Sequence, residues 1–91
     1  SRSRAYLETV ERHCTNNDFE ALSSFLEKPR KVFSSAETSA LPAEYQEIVK
    51  SKGLSATDVG YWFNLPTTPF RHLLIATDGE GKIKWWGVYR A

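Results

Sequence analysis

Residues 65–86 read LPTTPFRHLLIATDGEGKIKWW, and the fold turns on this stretch. Leu65 and Pro66 make a sharp turn. Thr67 or Thr68 stands where a helix N-cap is expected, and Pro69 falls in the first turn, which proline tolerates. Phe70, Leu73 and Leu74 recur at helical spacing. Asp78, Gly79 and Gly81 close that element. "KIKWW" (82–86) and "VYR" (88–90) are rich in β-formers about Gly87, which predicts a short hairpin. "GEGK" (79–82) lacks the G-x-x-x-x-G-K-[ST] spacing and the preceding strand of a phosphate loop, so a turn is the better account.

Working outward, "LSATDVGYWFNLP" (54–66) carries the signs of a short helix. Ser55 suits its N-cap, and Asp58 puts a carboxylate in its first turn. Val59, Trp62 and Phe63 would be its apolar positions, and Asn64 its left-handed end. A helix before it starts near Pro42, shows an apolar face of Leu41, Tyr45, Ile48 and Val49, and ends at Gly53. Residues 3–14 place Tyr6, Leu7, Val10 and Cys14 on one helical face, with Glu8, Glu11 and Arg12 opposite. A second helix follows, capped by Asn17 with Glu20 three residues on, and striped by Phe19, Leu22, Phe25 and Leu26. Val32 and Phe33 are expected to tuck against this pair, and residues 34–39 to form a loop.

The totals exclude several classes. Ninety-one residues make one domain at most. The net charge of +1 gives no bulk-charge argument for nucleic acid. The tilt is local: residues 1–50 carry net −1 and residues 51–91 carry net +2. One cysteine excludes an internal disulfide and a multi-cysteine zinc site. His13 and Cys14 are adjacent and diverge on a helix, so they form no metal pair. No apolar run reaches the roughly 20 residues of a membrane span, and no secretory leader is visible. No catalytic constellation can be assembled, so neither an enzyme, a cofactor nor a metal is expected. These features point to a cytoplasmic protein, nucleoid-associated if it binds DNA.

From residue 42 the expected order is helix, short helix, tight turn, helix, hairpin. On "LSATDVGYWFNLPTTPFRHLLIATDGEGKIKWWGVYR" (54–90) the chain resembles a winged helix-turn-helix DNA-binding domain of the bacterial-regulator kind, over residues 42–91. The resemblance implies a mainly α fold with a small β-hairpin wing. An N-terminal helical pair (1–33, a brace or a dimer arm) would precede a winged-helix core (40–91) within a single domain. It implies a recognition helix near 67–77 in a major groove, offering Thr67, Thr68, Arg71 and His72, braced by Val59, Phe63, Leu65, Phe70, Leu73 and Leu74. Lys82, Lys84 and Arg90 on the wing (82–90) would neutralise phosphates. The implied role is transcription regulation on double-stranded DNA, with a homodimer through residues 1–28. The alternative is a protein-interaction module using Trp85, Trp86 and Tyr89, because tryptophan is enriched at interface hot spots and winged helices serve both roles. Alternation in a strand would turn one of Trp85 and Trp86 inward and leave the other exposed. Either module could also be one domain of a longer protein.

Overall fold

A computed structural model describes every residue except Ser1, Phe70 and Ala91. The expected bracing role of Phe70 lies outside the described residues.

The first half largely follows its sequence pattern. Helix α1 spans Arg2–Thr15, with Val10 and Cys14 buried and Glu8, Glu11 and Arg12 exposed. Helix α2 spans Phe19–Phe25. Its cap is Asp18 rather than Asn17: the Asp18 carboxylate accepts from the Ala21 N–H at 3.1 Å. Asn17 sits one residue earlier at φ 55°, a left-handed conformation that asparagine tolerates. Its side chain is used elsewhere, as Oδ1 accepts the Ile83 N–H at 2.7 Å. Leu22 and Leu26 are buried as expected, whereas Phe25 stays exposed and packs against Tyr6 in a tilted ring pair with centroids 4.8 Å apart. A 3-10 helix over Ser35–Ala40 replaces the expected loop, held by a reciprocal box between Ser34 and Glu37. Helix α3 spans Ala43–Lys52, begins after Pro42 and stops at Gly53, whose φ of 94° favours glycine.

The second half overturns the expected fold class. Strands β1 (Lys31–Phe33), β2 (Val59–Leu65), β3 (Arg71–Thr77) and β4 (Ile83–Arg90) form one antiparallel sheet in the order β1-β2-β3-β4. The fold is α+β with a four-stranded sheet, not mainly α with a hairpin wing. The expected positioning helix is β2, the expected recognition helix is β3, and the expected wing hairpin is a single strand, β4. Gly87 lies within that strand, paired with Leu74, and makes no turn.

Each correction has a local cause. The Ser55 N–H donates to the Asp58 carboxylate at 2.8 Å and the Asp58 N–H donates to the Ser55 carbonyl at 3.0 Å. This closed pair ends a turn instead of opening a helix. The following VGYWFNL is dominated by β-branched and aromatic residues that suit a pleated surface. In β3, Leu73, Leu74, Ile75 and Ala76 are all 0 % exposed. A surface helix cannot bury four consecutive side chains, because they point around its whole circumference. A central strand covered on both faces can, since alternate residues enter opposite layers. The "DGEG" stretch is the β3–β4 hairpin turn. Asp78 Oδ1 accepts from the Glu80 and Lys82 N–H groups, and Gly81 takes φ 83°.

Helices α1 and α2 cover one face, where Val10, Leu22, Phe63, Leu73 and Ile75 form a core. Helix α3 and Leu41 before it cover the other, around Phe33, Tyr45, Trp62 and Leu74. Burying a large aliphatic or aromatic side chain contributes about 1.5–3 kcal/mol, so both cores contribute to the stability of this small domain. Trp85 and Trp86 therefore both turn inward, on opposite faces: Trp86 joins the first core and Trp85 the second. The expectation that one would be exposed assumed a sheet with one wet face.

Candidate functional site

The sheet has two edges, and they differ. Strand β1 has three residues, and its brevity limits what can pair with it. Strand β4 has eight and, among the described residues, pairs with β3 alone. Among the described residues, no backbone group from Lys84 to Tyr89 has a hydrogen-bond partner beyond that strand pairing. The ends of the edge are occupied. Asn17 accepts the Ile83 N–H, and the Tyr45 hydroxyl donates to the Arg90 carbonyl at 3.4 Å.

Natural sheets guard such edges with lysine, proline or a bulge. Here the guards sit at one end. The register shifts between Ala76 and Thr77, so that Trp85 faces Ala76, Ile83 faces Thr77 and Lys84 is left over as a bulge. The Lys84 ammonium is drawn to Asp58 Oδ2 at 2.6 Å. That carboxylate is lowered from its ordinary value, chiefly through Lys84 and then through the Ser55 N–H. From Trp85 to Tyr89 the sequence WWGVY has no charge, no proline and regular pairing. The Tyr89 ring lies over Gly87, where a Cβ would meet its hydroxyl at 2.3 Å. This fills the gap a strand glycine leaves.

The residues expected to touch DNA do not form one surface. Thr67 is buried, its hydroxyl donating to the Pro69 carbonyl at 3.1 Å. Thr68 is exposed in the loop before β3, and its N–H donates to the Ser3 hydroxyl at 2.9 Å. His72 is buried: its Nδ1 accepts the Trp62 indole N–H at 2.6 Å, and the Tyr45 ring stands edge-on at 5.6 Å. Burial, then the nearby Arg30 guanidinium, lowers the His72 pKa, so the imidazole is held neutral with its proton on Nε2. Arg30 itself lies 4.5 Å over the Trp62 ring, a cation–π contact that sequence inspection missed. Lys84 is committed to Asp58. Lys82 lies in the hairpin turn and Arg90 at the far end of β4, about 26 Å away along an eight-residue strand. Arg71 and Arg90 do meet, as directly opposed residues of β3 and β4.

The expected interface residues Trp85, Trp86 and Tyr89 lie together on β4, each half-buried. Their side chains serve the two cores, and what they offer outward is the strand's backbone. Cys14 is a buried free thiol, pushed up to about 12 by burial and by Glu11, so it is inert as a nucleophile at neutral pH. Among the described residues no group of three or more histidine, cysteine or acidic side chains could hold a metal, and no helix is long and apolar enough to cross a membrane. No protein-family model, no curated protein and no solved structure matches the chain.

Proposed function

We propose that the chain is a protein-interaction module that binds an extended segment of a partner protein along β4. The observation that carries this reading is the open, unguarded run Trp85–Tyr89 on an eight-residue edge strand. An extended segment added there gains main-chain hydrogen bonds to the free edge and continues the antiparallel order of the sheet. Charge selects the segment. Lys84 is paired with Asp58 and the turn carries Asp78 and Glu80 beside Lys82, so the unpaired positive charge gathers at the other end of the edge, where Arg71 stands beside Arg90. An acidic segment is favoured, and a second copy of the same basic edge is disfavoured.

A display selection of random octapeptides on the purified protein tests the reading. Enriched peptides should be β-prone and carry Asp or Glu, and should shift backbone amide signals of residues 84–90. Absence of enrichment, or shifts confined to α1 or α3, would overturn it. Salt-dependent retardation of duplex DNA without peptide enrichment would replace it with nucleic-acid binding.

A further inference from the structure

We propose that the groove between α1 and the start of β3 is a carboxylate site, which receives a glutamate of the segment docked on β4. The assignment of that carboxylate to the segment rests on the reading above; the site itself does not.

The groove has a volume of about 590 Å³. One wall is the outer face of α1, with Ser3, Arg4, Glu8 and Glu11; the other is Thr68 and Arg71. Arg71 is anomalous in two ways. Its Nε is buried with no hydrogen-bond partner, and its guanidinium has no ion pair among the described residues. A buried donor left unsatisfied is costly, and more so when it carries charge. Arg71 also faces Arg90 across the β3–β4 pair, and like charges directly opposed destabilise a sheet. Arg71, with its orphaned donor, lines the groove and Arg90 stands beside it on β4; neither is ion-paired among the described residues, although Glu8 and Glu11 stand on the facing wall, so an anion seated against the two guanidinium groups completes the site.

The geometry of the anion follows. A guanidinium presents parallel N–H groups that match a planar carboxylate in a two-point contact. Glu8 and Glu11 on the facing wall repel a second negative charge, which favours a carboxylate monoanion over a phosphate dianion. Reach also fits. Strands lie about 4.8 Å apart, so a residue on a strand added to β4 stands one spacing from Arg90 and about 10 Å from Arg71. A glutamate and an extended arginine together span that distance. In antiparallel addition the segment enters at the Arg90 end, so the acid falls near its N-terminus.

The test follows arginine Nε–H signals of the whole chain by 15N NMR. Sodium acetate, against sodium chloride at equal ionic strength, should shift the Arg71 and Arg90 signals while leaving Arg12 unmoved. Glu8→Gln/Glu11→Gln should strengthen the acetate response. Inorganic phosphate shifting these signals more than acetate would overturn the carboxylate assignment, and equal shifts with chloride would overturn the site. In a second arm, an enriched acidic peptide and its Glu→Gln counterpart are titrated against Arg71→Gln and Arg90→Gln. Each variant should weaken the acidic peptide about tenfold, the loss of one charge-assisted bond, and leave the glutamine peptide unchanged. Equal binding of both peptides would detach the site from the docked segment while the edge reading stood. An acetate response without any peptide binding would keep the site and sink the edge.

Discussion

Leu74→Ala and Ile75→Ala should each be severely destabilising, and their effects should add. Both side chains are 0 % exposed, yet they enter different cores: Ile75 the one beneath α1 and α2, Leu74 the one beneath α3. A buried Leu or Ile cut to Ala costs about 2–5 kcal/mol, through lost burial and the cavity left behind. A chain of this length has a total stability of about 5–14 kcal/mol, so either change removes a large fraction. At about 4–8 °C per kcal/mol for a domain of this size, each melting midpoint should fall by about 8 °C at the least. The sheet separates the two side chains, so they share no cavity. The double variant should therefore lose roughly the sum of the two, with any departure reporting coupling through their shared backbone. Urea unfolding followed by tryptophan fluorescence measures all three. If residues 67–77 formed a helix, Leu74 and Ile75 would point about 100° apart and one would face solvent. A cost below about 0.5 kcal/mol for either single variant would refute the strand.

Two further predictions concern the second core. Gly60→Ala should destabilise by about 1–3 kcal/mol, the cost of overpacking, because a Cβ there would stand 2.3 Å from the buried Phe33 ring on the facing strand; Phe33→Leu in the same chain should recover part of the loss in a double-mutant cycle. For His72, the folded-state pKa lies below the ordinary value near 6.5. The unfolded chain therefore binds the extra proton first, and stability should fall as pH drops through the window below about 6.5. His72→Gln should flatten that part of the stability–pH profile, and an unchanged slope would show that His72 is not its source.

Legibility of the sequence varied by region for identifiable reasons. Helices α1 and α3 bury one face each, so the helical period survives in their residues and both were readable. Strand β3 is covered on both sides, which erases the period-2 signal; RHLLIAT then reads as well as helix as it does strand. The error was reinforced by real local chemistry. Ser55 with Asp58, and Thr67 with Pro69, carry the residue types that open helices, and here both sets close turns. A four-residue buried run, 73–76, was the available sign of a central strand. At the candidate site, the composition of β4 was visible but its place at the sheet edge was not, since that depends on the order of all four strands. The pairing of Arg71 with Arg90 likewise appears only once the β3–β4 register is known. His72 reads as a surface residue because nothing local shows that Trp62 reaches its ring across the β2–β3 pair.

Strand β4 is an open edge on a sheet whose inner strands are closed. Amide hydrogen exchange of the isolated chain tests it residue by residue, since free edge amides exchange quickly and paired ones slowly. Exchange should be uniformly slow along Leu73–Ala76 and should alternate between slow and fast amides along Trp85–Tyr89. Protection of every amide from Trp85 to Tyr89 in the isolated chain would contradict it, because that edge would already be covered.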